Sequence, residues 1–298
     1  MQSLLPILQK TLLQSRVFLL LSAHWVSTHA DAQSFTTQPI DGERLDYTVT
    51  YEWGPFYLEV ADVSFTTAAM GYSGTKLWSF EGWGATRNHW RWFYNVNSIY
   101  ASVSDGGLNP INFKRHGREG SHRYDRWYFL KNRPEIFWIS SDSELGSGSV
   151  NAALDSSIYD VMTAVHHCRH LPWEQYNPGD TVALNLILDG EIHATRLDFK
   201  GTIQHQDPTT NYEVTCWEFS PTLIGGTVFK AGDQMRVIVT ADDRRLLVFV
   251  ETELVVGSAR IYLSEVTVLD PKALSEFRQN TASRRDAALG RKQNPRSH

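Results

Sequence analysis

Alternation between apolar and polar residues is the feature that most constrains the fold of this chain. Leu45, Tyr47, Val49 and Tyr51 occupy every second position, so in an extended strand their side chains share one face. Alternating segments separated by Gly, Pro, Asn and Asp turns fill most of residues 43–140, and strand signals resume over 181–268. The pattern predicts long, mostly antiparallel β-strands and excludes folds that alternate strands with helices.

One central segment has a different period. Its apolar residues recur at the three- and four-residue spacing of a helix: Ile158, Val161, Met162 and Val165. Ser157 and Asp160 resemble a capping box at its start. We therefore predict an all-β fold with one helix at about 156–169. Its curved sheet is closed or coiled into a barrel or β-spiral, because closure hides strand edges.

The first 32 residues have the layout of a secretory signal peptide. Lys10 and Arg16 precede a short apolar core, and Ala30-Asp31-Ala32 is typical of a cleavage site. The core is too short for a transmembrane helix, and no later segment approaches 18 apolar residues. We predict that residues 1–32 are removed, that residues 33–271 form one all-β domain, and that the protein is exported to the periplasm or cell envelope without a transmembrane segment.

Charge is distributed unevenly along the chain. The formal net charge is −5, which argues against a general nucleic-acid-binding protein. Residues 272–298 are nevertheless rich in basic side chains: Lys272, Arg278, Arg284, Arg285, Arg291, Lys292 and Arg296. This composition predicts a flexible, solvated tail. Contact of the tail with anionic lipid or surface glycan is the alternative.

A series of different short motifs follow one another between about residues 40 and 270. They include Gly42-Glu43-x-Leu45, Leu108-Asn109-Pro110, Asp155-Ser156-Ser157, Tyr176-x-Pro178-Gly179-Asp180, Cys216-Trp217-x-Phe219 and Thr240-Ala241-Asp242-Asp243. This order resembles the bacterial domain of unknown function 3108 family, in the form common in exported proteins of Bacteroidota. One departure is Arg245-Leu246-Leu247, where the family usually has Ile-Pro. The resemblance implies an exported all-β protein, and it carries no established activity or catalytic residues.

Histidines cluster at the end of the predicted helix. His166 and His170 are four residues apart and share a helix face, which is a workable spacing for two metal ligands. A third ligand would have to come from elsewhere, and histidines also suit a helix C-terminus. We therefore predict no metal and no cofactor, with His166 and His170 as the candidate ligands if a metal binds.

Two cysteines, Cys168 and Cys216, have two open interpretations. In an oxidising compartment they could form a disulfide that joins the helix to a C-terminal strand. Alternatively they are separate buried thiols that act as small apolar side chains. The family resemblance favours separate thiols, because the position of Cys216 often holds a cysteine there without an evident partner.

Aromatic residues are the most suggestive feature for function. Trp90, Trp92 and Tyr94 alternate within a strand predicted at 89–96, so their rings would face the same way, and Trp127 lies on a later strand. Exposed rings would stack on sugars or line an apolar ligand cavity, whereas buried rings would fill the core. We predict these four residues as ligand-binding residues.

These observations favour a non-catalytic exported envelope protein that binds a hydrophobic or glycan ligand, or an envelope partner. The alternative is a secreted carbohydrate-active enzyme that uses a carboxylate pair in an aromatic-lined cleft. Asp242/Asp243 and Glu251/Glu253 are the candidate pairs, although a turn and a solvent face also account for them. A purely structural role in envelope integrity is a third possibility.

Overall fold

The structure is a computed structural model, and it describes residues 37–276 except 73, 93, 132–133, 143–144, 153–156, 208–210, 223–233, 255–256 and 271. The predicted signal peptide and most of the basic tail lie outside the described residues, and residues 272–276 form one helical turn. Where the chain is described, no helix has the length and hydropathy needed to cross a bilayer.

The elements are β1 Glu43–Trp53, β2 Phe56–Tyr72, β3 Thr75–Thr86, a 3-10 turn Asn88–Trp90, β4 Val96–Asp105, β5 Pro110–Glu119, β6 His122–Phe129, β7 Glu135–Ser140, β8 Gly148–Asn151, β9 Ile158–Tyr159, α1 Val161–His170, a 3-10 turn Trp173–Gln175, β10 Thr181–Leu188, β11 Glu191–Gln206, β12 Glu213–Pro221, β13 Met235–Thr240, β14 Leu247–Glu253 and β15 Ser258–Val268.

All of these strands belong to one sheet. Their order runs from β8 back to β1, then from β15 back to β9. The first and last strands of the chain lie side by side, with Glu43 paired to Val268 and Glu52 paired to Ser258. The described strand pairs are antiparallel except for β9 with β10, so the predicted all-β, mostly antiparallel fold is confirmed.

The two edges of the sheet are β8 and β9, and side chains of β7 bring the two edge regions into contact. In the described residues no hydrogen-bonded ladder joins them, so the sheet coils towards a barrel but is not closed by hydrogen bonds. Trp138 on β7 lies against the β10–β11 turn so closely that a Cβ on Gly190 would come within 2.8 Å of its ring. Ile136 belongs to the same apolar cluster as Ile158 and Ile187. We call this region, formed by β7, β8, β9 and the β10–β11 turn, the seam.

Helix α1 starts five residues later than predicted. Ile158 and Tyr159 pair with β10, so the chain stays extended up to Asp160, which is the N-cap. The Asp160 side chain accepts hydrogen bonds from the backbone N–H groups of Met162 and Thr163, and the Thr163 hydroxyl accepts one from the Asp160 N–H. The capping box is therefore formed by Asp160 and Thr163, and the predicted one at Ser157 was wrong.

Helix α1 packs against β3, β4, β9 and β10, between two apolar clusters. Met162 belongs to the cluster around Phe80, on the first half of the sheet. Cys168 belongs to the second cluster, together with Trp173. The Trp173 ring stacks on Phe219, with the ring centroids 4.7 Å apart. Because both sides of the helix are covered, even its histidines and Arg169 are buried.

One local expectation needs correction in the first half of the sheet. Strand β2 contains a bulge at Val60, since Val49 pairs with Ala61 and Thr50 pairs with Glu59. The strand predicted at 89–96 is wrong, because the chain turns there and β4 begins at Val96. β4 itself was missed because its inner face is largely hydroxylic, with Ser98, Ser102 and Ser104 buried, so it lacks the apolar period of a half-buried strand.

Candidate functional site

The four predicted ligand-binding aromatics are not brought onto one face. Trp90 lies in the 3-10 turn and donates its indole N–H to the carbonyl of Glu59, at 2.9 Å, which holds the turn against β2. Trp92 follows in the same turn and is 68% exposed. Trp127 lies on the outer face of β6, 47% exposed, with the Lys114 ammonium 4.3 Å from its ring centroid. The shared strand face expected for Trp90, Trp92 and Tyr94 therefore does not exist.

A different set of side chains converges on the inner face of β4, β5 and β6. Tyr100 comes from β4, Arg115 from β5, and Tyr124 and Arg126 from β6. Tyr124 and Arg126 are buried whereas Trp127, between Arg126 and Tyr128, points outward, as strand alternation requires. Arg115 and Arg126 are direct cross-strand partners. We call this pair the arginine fork.

Tyrosine rings flank the fork. The Arg115 guanidinium carbon lies 4.5 Å from the centroid of the Tyr124 ring and 5.3 Å from that of Tyr100, which is within cation–π distance. The Tyr124 hydroxyl lies 2.6 Å from a carboxylate oxygen of Glu119 and 2.8 Å from the Ser98 hydroxyl. Burial raises the pKa values of Tyr100 and Tyr124, so both hydroxyls stay protonated at neutral pH.

Three carboxylates neutralise the fork. Asp189 Oδ1 accepts a hydrogen bond from Arg115 Nη1 at 2.8 Å and a second one from Arg126 Nη1. Asp142 accepts from Arg126 Nε at 2.5 Å, and Glu119 accepts from Arg115 Nη2 at 3.2 Å. Burial alone would lower the pKa of Arg115, but the surrounding tyrosines and carboxylates raise it well above its ordinary value, so the guanidinium is charged.

Asp189 reaches the fork from the opposite edge of the sheet. It forms a two-residue turn with Gly190 between β10 and β11, and both residues have positive φ, 49° and 82°. An Asp-Gly pair suits this turn because both positions require the left-handed region. The turn points the carboxylate across the seam, so Asp189 links β10–β11 to β5 and β6.

Sequence reasoning missed this site. The Asp189-Gly190 pair is typical of a turn, but the partner of the carboxylate could not be inferred from local sequence. The available signal was the strand period: Arg126 falls in phase with Tyr124 and Tyr128, the two buried tyrosines of β6. Once the inner face is known, a charged residue in phase with the buried tyrosines marks β6 as a candidate functional strand.

The helix histidines are neutral core groups. The His166 ring stacks on Phe80 with centroids 3.8 Å apart, and His170 Nδ1 lies 2.8 Å from the His166 carbonyl oxygen. Burial lowers the pKa of both, that of His170 to about 3. Across the described ranges, no group of three or more His, Cys, Asp or Glu side chains is arranged to hold a metal ion.

Cys168 and Cys216 are buried free thiols of the same apolar cluster, and this structure contains no disulfide between them. Burial raises the pKa of each thiol to about 12. Neither sulfur is therefore a thiolate at neutral pH, and both side chains act as small apolar groups.

Ion pairs hold the carboxylates considered for a glycosidase. Asp242 binds Arg244, with a nitrogen–oxygen distance of 2.6 Å, and accepts from the Thr240 hydroxyl. Glu251 binds Arg260 at 2.5 Å. These contacts lie in the β13–β14 turn and between neighbouring strands, and they account for Asp242 and Glu251 through local pairing.

A family profile described as "Protein of unknown function (DUF3108)" matches residues 46–264. No match is found among curated proteins. A β-barrel-like protein of the DUF1849 type from Brucella abortus has a similar structure, with a TM-score of 0.51 and 10% identity, covering 80% of this chain and 100% of that chain. An exported-type protein with a YmcC-like fold from Bacteroides fragilis gives a TM-score of 0.35 and 8% identity, over 78% of this chain and 99% of that chain. The Brucella likeness shows a barrel-like fold.

Proposed function

This chain belongs to the DUF3108 family of proteins of unknown function, and we propose a function for it from the geometry of the arginine fork. It is a non-catalytic, exported protein of the cell envelope that binds a ligand with a hydrophobic or glycan body. The ligand contacts the inner face of β4–β6 beside the seam.

The arginine fork is the observation that carries this proposal. Two like charges directly opposite each other in an antiparallel pair repel, and buried ion pairs are often less stabilising than apolar residues of similar volume. Arg115 and Arg126 are therefore a poor choice for a core that needs only stability. Flanking tyrosine rings provide flat, amphipathic surfaces of the kind that bind sugars and apolar chains.

Exposed aromatics at the same end of the sheet support a binding role. The β1–β2 and β3–β4 turns lie at the same end of the sheet as the β10–β11 turn that carries Asp189, and Phe56, Tyr57 and Trp92 are exposed there. Trp53 stacks on Phe56 with ring centroids 5.8 Å apart. Together with Trp90, Tyr94 and, on the outer face, Trp127, these rings offer contacts for an exposed part of the ligand or for an envelope partner.

Export rests on the signal-peptide layout of residues 1–32. Mass analysis of the protein from its native cells tests it directly. We expect a mature N-terminus at Gln33, whereas an intact Met1 would contradict export by this route.

Native mass spectrometry of protein purified gently from its own envelope tests the binding role. We expect the wild-type protein to release a bound compound, and Arg126→Leu to release much less, because the fork is lost. Arg196→Leu is the matched control, since Arg196 is an exposed residue on β11. A wild-type protein without any bound compound, or full retention by R126L, would contradict the proposed site.

A further inference from the structure

We propose that the arginine fork binds an anionic oxygen group of the ligand, a carboxylate or a phosphate, and that the Asp189 carboxylate occupies this position until the ligand displaces it. This inference rests on the proposed function and specifies the chemistry of the ligand.

The geometry of the fork is that of an anion site. Arg115 and Arg126 stand directly opposite each other, and one Nη of each donates to the same oxygen of Asp189. Guanidinium groups that converge on one oxygen match the geometry of carboxylates and phosphates. An anion at this point also removes the repulsion between the two arginines.

Asp189 differs from the rest of the site in its exposure. Its side chain is 35% exposed, whereas that of Arg126 is 7% exposed and that of Asp142 is fully buried. Glu119 is 26% exposed, but Asp142 and Glu119 each bind a single arginine of the fork, whereas Asp189 binds both. Asp189 is therefore the carboxylate that can leave towards solvent while the guanidiniums stay in place.

One donor of the fork remains unused. Arg115 Nε is buried and has no hydrogen-bond partner among the described residues. Buried donors without partners are uncommon and call for an explanation. A phosphate, or a carboxylate bound more deeply than Asp189, brings a further oxygen that could accept this hydrogen bond.

Apolar side chains lie next to the fork, inside the seam. Tyr128, Trp138 and Ile187 belong to one buried cluster, and Trp138 contacts the same turn that carries Asp189. Because Asp189 ties this turn to β5 and β6, its displacement loosens the turn beside the cluster. A ligand with an apolar body next to its anionic group would meet both features.

Isothermal titration calorimetry with defined compounds tests the inference. The compounds are decanoate, dihexanoyl phosphatidic acid, inorganic phosphate and, as the neutral counterpart, decanol. The proteins are wild type, Asp189→Asn, Arg126→Gln and Asp198→Asn. Asp198 lies on the neighbouring β11 strand and binds Arg196, so D198N is the same substitution away from the fork.

We expect D189N to bind an anionic compound roughly tenfold more tightly than wild type, because the internal competitor is gone. R126Q should bind it at least tenfold more weakly, and D198N should equal wild type. If R126Q does not fold, Arg126→Lys replaces it, since lysine keeps the positive charge but lacks the planar set of guanidinium donors. Decanoate, phosphatidic acid and inorganic phosphate distinguish a carboxylate, a lipid phosphate and free phosphate, and tighter binding of any of them by D189N supports the site.

Other results would overturn the inference. If decanol binds as well as decanoate and D189N changes neither affinity, the ligand site does not recognise an anion, although the proposed binding function would survive. The same conclusion follows if native mass spectrometry releases a neutral compound and none of the anionic compounds gives heat of binding in calorimetry. Silent titrations together with a wild-type protein free of any bound compound would remove both proposals.

Discussion

The β1–β15 junction and the seam both bring distant parts of the chain together, but they are built differently. At the first junction a backbone ladder runs from the Glu43–Val268 pair to the Glu52–Ser258 pair. At the seam, within the described residues, side chains make the contact: Trp138 over Gly190, and Asp189 between two arginines. A ladder is fixed by its register, whereas a side-chain junction can open locally at a smaller cost. We infer that binding chemistry lies at the seam for this reason.

Proline on β1 should have the largest effect, because it breaks the ladder junction. Val49 pairs with Ile261 on one side and Ala61 on the other, so proline removes a backbone N–H inside a central strand and costs at least about 3 kcal/mol. We expect Val49→Pro to lose its cooperative urea transition in circular dichroism. Val49→Thr, which keeps the branched shape, should retain that transition.

Ser149→Pro is the matching substitution at the seam. Ser149 lies on edge strand β8, which has a ladder partner in β7 on one side, and prolines are tolerated on edges. We expect a cooperative transition with a smaller loss of stability than V49P. Equal damage from both prolines would show that the two junctions do not differ in the way described.

Acid should weaken the interior of the fold around helix α1. Burial lowers the pKa of His167 to about 4 and that of His170 to about 3, and it lowers the pKa of His166 as well. Stability from neutral histidines is present above their unfolded pKa and is lost as the pH falls below about 6.5, by about 2 kcal/mol per histidine at pH 5.

Asp160 opposes this trend. Burial raises its pKa to about 6, so its contribution is greatest at low pH and is lost as the pH rises through about 6, which offsets roughly 1 kcal/mol of the histidine effect. We expect the free energy of unfolding to fall by several kcal/mol between pH 7 and pH 5. His170→Asn should reduce this fall and Asp160→Asn should increase it. A flat profile would contradict the buried, neutral state of the histidines.

Removing the charge of Asp189 should destabilise the protein moderately. D189N leaves Arg115 and Arg126 opposite each other with weaker acceptors, and losing hydrogen bonds to charged groups costs about 1–3 kcal/mol. The control is D198N, whose charged partners Arg196 and Lys200 are exposed, so a change within about 1 kcal/mol is expected. The midpoints of urea unfolding are compared for wild type, D189N and D198N. A D189N midpoint identical to that of wild type would mean that Asp189 contributes nothing to the stability of the seam.

The smallest effects should come from the exposed aromatics. Trp92→Ala removes a ring that is 68% exposed, so it should change stability by less than about 1 kcal/mol. Trp127→Ala also loses the contact with Lys114, worth about 0.5–1 kcal/mol. Larger losses in thermal denaturation would show that these rings support the sheet and are not available to a ligand.

Strand alternation predicted most of the fold, but it could not reveal the site. The strands over residues 181–268 followed from their apolar period, whereas β4 escaped because serines line its buried face. On β6 both faces look aromatic, since Tyr124 and Tyr128 alternate with Trp127 and Phe129. The coiling of the sheet determines which face of β6 lies inside and brings Asp189 to the arginines. Local sequence does not encode this coiling.

Hydrogen–deuterium exchange of wild type and D189N tests the central claim most directly, because it reads both junctions in one experiment. We expect D189N to speed exchange in peptides covering β8 and the β10–β11 turn by an order of magnitude or more, while β1 and β15 remain protected as in wild type. D198N should leave both regions unchanged. Uniformly faster exchange in D189N, or no change at the seam, would contradict the view that side chains centred on Asp189 hold this junction.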